Sequence, residues 1–215
     1  MTRSHRTLAG YGWRFISGQT RFRGMAIVPD VKDWTWVLER PCPECGYDGG
    51  KVGYDEVPVA ARAAAARVRA ALDRPDARRR PTESTWSPLE YAAHVRDVCR
   101  IFAFRIAVAT GGPAADPHVP AFDPGEAAPA GAVPTFTNWD QDATAVADCY
   151  DRQDPAVVAA ELTDAAERVA AAFAAVPPDA RGRTARRADG ALFTVDGLAR
   201  YFLHDLVHHA HDVRG

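Results

Sequence analysis

The sequence predicts an all-α fold, a four-helix bundle with one long crossover and an irregular N-terminal segment. Three observations predict it. An alanine-rich run opens at Val57 and ends before Pro75. A capped start at Ser87 leads an apolar stretch to about Thr110, and a histidine-bearing segment occupies residues 195–213. With 215 residues, 47% of them apolar, the chain is long enough for one well-buried domain and too apolar for disorder.

The elements follow in order. Residues 1–24 hold five arginines and no acid, and read as a disordered extension or a misassigned start, with a transit peptide as the alternative. Residues 25–57, with Trp34, Trp36, Pro41, Pro43 and several glycines, read as an ordered but irregular lead-in. The bundle itself spans 58–215. Val59, Ala63, Ala66, Val68 and Leu72 lie in the first helix, where alanine favours helix and packs closely. Ser87-Pro88-Leu89-Glu90 reads as N-cap, N1 proline and N3 glutamate, and Gly111-Gly112-Pro113 stops that second helix.

Residues 111–137, rich in proline, alanine and glycine, form the crossover, longer than the ~12–15 residues usual for structureless loops. A helix is expected from near Trp139, restarted by Asp154-Pro155 and ended by Pro177-Pro178. Asp189-Gly190 signals a turn that closes a small hairpin, and Thr194 caps the last helix. Four principal helices with short-connected pairs make a four-helix bundle.

Composition excludes several classes. A net charge of −2 gives no support to a nucleic-acid or membrane-surface partner. Only Lys32 and Lys51 among the 26 basic residues are lysine, a bias of GC-rich coding more than of a binding surface. Arg78-Arg79-Arg80 and the group at Arg181, Arg183, Arg186 and Arg187 read as solvated loop charges. Arg105 interrupts the best apolar candidate for a membrane span, and no secretory signal is evident. Four cysteines are too few and too uneven for a disulfide scaffold, so a cytoplasmic, reduced protein fits best. A homodimer on exposed apolar helix faces is compatible with the sequence, but no residue fixes it.

Histidines carry the functional signal. With His204 at zero on the last helix and about 100° per residue, His208 falls near 40°, His211 near −20° and His209 near 140°. His204, His208 and His211 thus share a face and His209 points away. On the second helix His94 shares a stripe with Val98 and Ile101, which should face the core. A single core histidine is ordinarily a hydrogen-bonded packing residue. Several converging from two helices point instead to a shared metal, because burying unpaired imidazoles is costly.

Asp97 and Asp205 are candidates to orient ligand imidazoles, and solvated helix carboxylates are the plain alternative. Tyr91 and Tyr201 are placed to line a pocket, or simply to pack the core. Arg105 would hold an anionic substrate or snorkel from a helix end. Cys42-Pro43-Glu44-Cys45-Gly46 is half of a zinc knuckle. A second metal site at Cys42 and Cys45 needs further ligands that the sequence does not identify, so a loop thiol pair is the default. Cys99 and Cys149 read as small core residues in helices, and Asp140 as a helix-start carboxylate.

The string Thr85-Trp86-Ser87-Pro88-Leu89-Glu90-Tyr91-Ala92-Ala93-His94, followed by Tyr201-Phe202-Leu203-His204-Asp205-Leu206-Val207-His208-His209, resembles the DinB-like (YfiT-like) metalloenzyme family over residues 58–213. The resemblance implies a four-helix bundle of DinB-like type. In it one histidine of the second helix and an H-x3-H pair of the last bind a divalent metal: His94, His204 and His208. The family pattern, not the helical wheel, sets aside the rival ligand His211. The related mycothiol-dependent maleylpyruvate isomerases place a glutamate where this chain has His204, which counts against that activity as such.

Three imidazoles suit a divalent transition metal, zinc or nickel first and iron next. Relatives include thiol S-transferases, so the resemblance implies a metal that activates a low-molecular-weight, mycothiol-like thiol for S-transfer or isomerisation on a small-molecule substrate. Hydrolysis of an amide or ester is the alternative. A non-catalytic metal- or ligand-binding bundle, closed by His211, is a third reading.

Overall fold

The computed structural model describes residues 33–129 and 131–214, and the expectation for residues 1–24 lies outside them. Five α-helices dominate: α1 Val57–Ala70, α2 Pro88–Thr110, α3 Gln141–Ala147, α4 Pro155–Ala174 and α5 Val195–Asp212. Four of them, α1, α2, α4 and α5, form the bundle. Short strands β1 Thr135–Phe136, β2 Thr184–Arg187 and β3 Leu192–Thr194 make one small sheet at its end.

Capping chemistry sets the helix starts. Ser87 accepts from the Glu90 amide while the Glu90 side chain accepts from the Ser87 amide, a reciprocal capping box. Asp154 accepts from the amides of Ala156 and Val157, with Pro155 at N1, and Thr194 accepts from the Gly197 amide. The second helix stops at Gly111, whose φ of +74° is the left-handed conformation that favours glycine.

The bundle is wound differently from a simple up-down hairpin pair. Helices α1 and α2 each pack on both α4 and α5, while α1 and α2 touch only lightly. The chain neighbours α1 and α2 therefore sit across a diagonal. The segments at 71–87 and 175–194 are long enough to carry the chain across an end of the bundle. Alanines at 61, 64 and 65 let α1 approach closely, and Phe102, Phe173 and Phe202 fill the centre.

The helix expected near Trp139 and its restart at Asp154-Pro155 are the separate helices α3 and α4. Asp140 caps the short α3, and a 3-10 turn at Tyr150–Arg152 separates it from α4. Cys149, expected in the core, is exposed at that break with a φ of +47°, whereas Cys99 is fully buried. Asp189-Gly190 does close a hairpin, with β2 antiparallel to β3. The crossover adds what periodicity could not show: β1 pairs parallel to β2, seating buried Phe136 against Phe193.

The N-terminal segment is not peripheral. Its 3-10 turn Trp34–Leu38 packs on α5, and the Tyr47 hydroxyl donates to the Arg200 carbonyl at 2.9 Å. One face of α5 therefore meets α2, and another lies under residues 34–51.

Candidate metal centre

The expected trio of His94, His204 and His208 is divided by this layering. Among the described residues, two groups of metal-capable donors come together, each with all its donor atoms within 4.8 Å of one another. One is His94, Asp205 and His209. The other is Cys42, Cys45, His204 and His208. The final helix carries two overlapping i,i+4 frames, 204/208 and 205/209. The 205/209 frame faces α2, and the 204/208 frame faces the N-terminal segment.

In the first group His94 is fully buried near the start of α2. Its ring stacks on Trp139 at 5.1 Å with 6° between the planes, leans on Trp86 at 5.2 Å, and meets the His209 ring edge-on at 4.7 Å. Neither His94 nitrogen has a hydrogen-bond partner. Asp205 Oδ1 stands 3.7 Å from His94 Nε2, beyond hydrogen-bond reach, and 3.1 Å from His209 Nε2. His209 Nδ1 lies 2.9 Å from Asp212 Oδ2. His209 thus stands between two carboxylates, one at each ring nitrogen.

Electrostatics agree with the geometry. Burial is the largest influence on His94 and lowers its pKa, so its ring is neutral with a lone pair to offer. Burial would also lower that of His209, but hydrogen bonds with Asp205 and Asp212 outweigh it and push it up to about 9. Burial acts upward on Asp205, and the two histidines outweigh it and hold the carboxyl below its ordinary range. The centre thus sets the Asp205 carboxylate beside one neutral ring, His94, and one whose proton the flanking carboxylates hold, His209.

In the second group Cys42 Sγ lies 3.7 Å from His208 Nδ1, and the Trp34 ring sits 5.4 Å from that of His204 and 5.1 Å from that of His208. Burial pushes His204 down to about 4, also lowers His208, and raises the Cys45 thiol to about 11.

The remaining candidates fall elsewhere. His211 is exposed and joins neither group. Asp97 orients no imidazole; Arg96, Arg100 and the Tyr150 hydroxyl occupy its oxygens. Tyr91 packs beside His209 at 5.3 Å, and Tyr201 lies against Phe193 and Phe102 with Arg187 on its hydroxyl. Arg105 is buried, lying over Phe102 and Phe136 and donating to the Thr137 carbonyl. Asp212 and His209 are the residues sequence reasoning passed over. The string His204-Asp205-Leu206-Val207-His208-His209 held the signal, since Asp205 and His209 have the same spacing as His204 and His208.

Trp86, Tyr91 and Asp212 also line a groove of about 510 Å³ together with Arg74, Asp76 and Arg79. No helix among the described residues is long and apolar enough to cross a membrane.

A helical bundle with inward carboxylate and imidazole donors on facing helices is an architecture of metal-binding helical proteins. The chain belongs to the DinB superfamily, whose family model matches residues 59–213. Among solved structures it is similar to YfiT from Bacillus subtilis, described as a probable metal-dependent hydrolase with an unusual four-helix bundle topology. That likeness has a TM-score of 0.57 at 16% identity and covers 75% of this chain and 84% of the other. Comparison with curated proteins finds no match.

Proposed function

We propose that this protein is a divalent-metal-dependent enzyme whose centre is His94, Asp205 and His209. The observation that carries the reading is His94, fully buried with both ring nitrogens unpartnered while a carboxylate and a second imidazole stand beside it. An unsatisfied buried polar group costs about 1–3 kcal/mol. A cation shared by the three donors removes that cost at one of the two nitrogens. Two imidazoles and a carboxylate suit zinc, nickel or iron(II). When bound, such a metal supplies Lewis acidity and lowers the pKa of a nucleophile.

The chain's own residues prepare the centre. Asp212 accepts from His209 Nδ1 and so leaves Nε2 to face the shared position. Trp139 and Trp86 fix the plane of His94 and exclude water from its faces.

The nucleophile we favour is a low-molecular-weight thiol of the mycothiol type, used for S-transfer or isomerisation. The family resemblance to thiol-dependent enzymes supports this, while a histidine, His204, where the mycothiol-dependent isomerases carry glutamate counts against that isomerase activity as such. Hydrolysis of an amide or ester is the second reading. It is favoured by the two-histidine, one-carboxylate donor set that recurs in zinc hydrolases and by the description of YfiT.

The test combines metal analysis with paired assays of the metal-loaded chain, one with a thiol and an unsaturated electrophile, the other with amides and esters. His94→Ala, Asp205→Ala and His209→Ala should each lose about one equivalent of metal and the activity. Turnover that requires thiol supports the first reading, and thiol-independent hydrolysis moves the assignment to the second. Full metal content and full turnover in His209→Ala would overturn the centre.

A further inference from the structure

We propose that Cys42, Cys45, His204 and His208 form a separate, structural zinc site that fastens the N-terminal segment to α5. The four donors gather from two distant pieces of chain into one group within 4.8 Å. Their spacings, C-x2-C and H-x3-H, are those of Cys2His2 zinc sites. Zinc–sulfur and zinc–nitrogen bonds of about 2.3 and 2.05 Å at a tetrahedral angle set a sulfur–nitrogen edge of about 3.6 Å. The Cys42 Sγ to His208 Nδ1 separation is 3.7 Å.

The surroundings are those of a metal site rather than a thiol pair in a loop. His204 Nε2 is buried with no hydrogen-bond partner. His208 turns its other nitrogen, Nε2, toward Glu44 Oε2 at 3.5 Å, the arrangement that keeps Nδ1 free to ligate. The cysteines sit on a tight turn closed by the Gly46 amide donating to the Cys42 carbonyl at 2.9 Å, with Gly46 at a φ of +75°. Trp34 and Tyr47 cover His204.

Four protein donors close a tetrahedral shell and leave no position for substrate, so the site is structural. On binding, two zinc–sulfur and two zinc–nitrogen bonds form and the two thiol protons leave to water. His204 and His208 immediately precede Asp205 and His209 on the same helix. Zinc on one face therefore fixes the rotation of α5 that presents the other pair to His94.

The test uses the full chain. Wild type should hold about two equivalents of metal, and Cys42→Ser/Cys45→Ser about one. Cobalt-loaded wild type and His209→Ala should both show the thiolate-to-cobalt charge-transfer absorption, and the double serine variant should lack it. His208→Cys should keep the metal and strengthen that absorption. Absence of thiolate absorption in cobalt-loaded wild type overturns the proposal even if the serine variants fail to fold. So does unchanged metal content in a folded double variant, whereas failure of the His94 centre alone would leave the thiolate signature intact.

Discussion

Replacing Glu90 by glutamine should destabilise the fold by about 2–3 kcal/mol and flatten its response to acid. The Glu90 side chain is 1% exposed and accepts from the Ser87 amide at 2.9 Å, the Ser87 hydroxyl at 2.7 Å and the Arg80 guanidinium. Glutamine keeps the shape but removes the charge, and hydrogen bonds to charged groups contribute about 1.5–3 kcal/mol. Arg80 is 21% exposed, so water recovers part of the loss and the 3–5 kcal/mol of a fully buried broken pair is not reached. For a domain of this size each kcal/mol moves Tm by about 2–4 °C.

Burial alone would raise the Glu90 pKa, but the Arg80 and Ser87 hydrogen bonds outweigh it and the carboxyl titrates below its ordinary value of 4.5. A depressed carboxylate stabilises fully above its unfolded pKa and loses that contribution as pH falls through the folded one. Urea unfolding at pH 7 and again in acid should therefore show wild type losing its advantage over Glu90→Gln as pH falls. A difference below about 0.5 kcal/mol at pH 7, or parallel acid curves, would refute the reasoning. The pair matters to the centre because it ties the groove-bearing segment before Ser87 to the first turn of α2, one turn ahead of His94.

Asp212→Asn should weaken metal binding at the His94 centre by about 10–100-fold, because it removes the carboxylate that holds His209 Nδ1. Competition with a chelating dye measures it, and unchanged affinity would mean that His209 is oriented by other contacts. Phe173→Ala should cost about 3–5 kcal/mol in urea unfolding, since the ring is fully buried and stacked on Phe202 at 5.2 Å. A loss under about 1 kcal/mol would mean that the bundle centre collapses around the void.

Much of the bundle was legible because its signals are local. Ser87 and Glu90, Asp154 and Pro155, and Thr194 act on amides within three residues, so their chemistry declares a helix start without knowledge of the rest of the chain. The hairpin at Asp189-Gly190 is local in the same sense. The parallel pairing of Thr135 with Arg186 was not legible, since no property of either segment names its partner. Nor was the diagonal placement of α1 and α2, which depends on how the chain crosses the ends of the bundle.

The candidate centre divides along the same line. Composition and spacing were enough to mark His94, His204, His208 and the two cysteines, though not His209, as metal-capable, because donor chemistry and the 3.6-residue helical repeat are properties of the chain itself. A helical wheel assigns one buried face, however, and α5 is covered on two. Only tertiary structure, by laying Trp34 and Cys42 over His204 and His208 while α2 met Asp205 and His209, decided which imidazole joins which partner. The reason is physical: ligation depends on donor atoms from distant segments meeting within a few ångströms, and packing alone determines that.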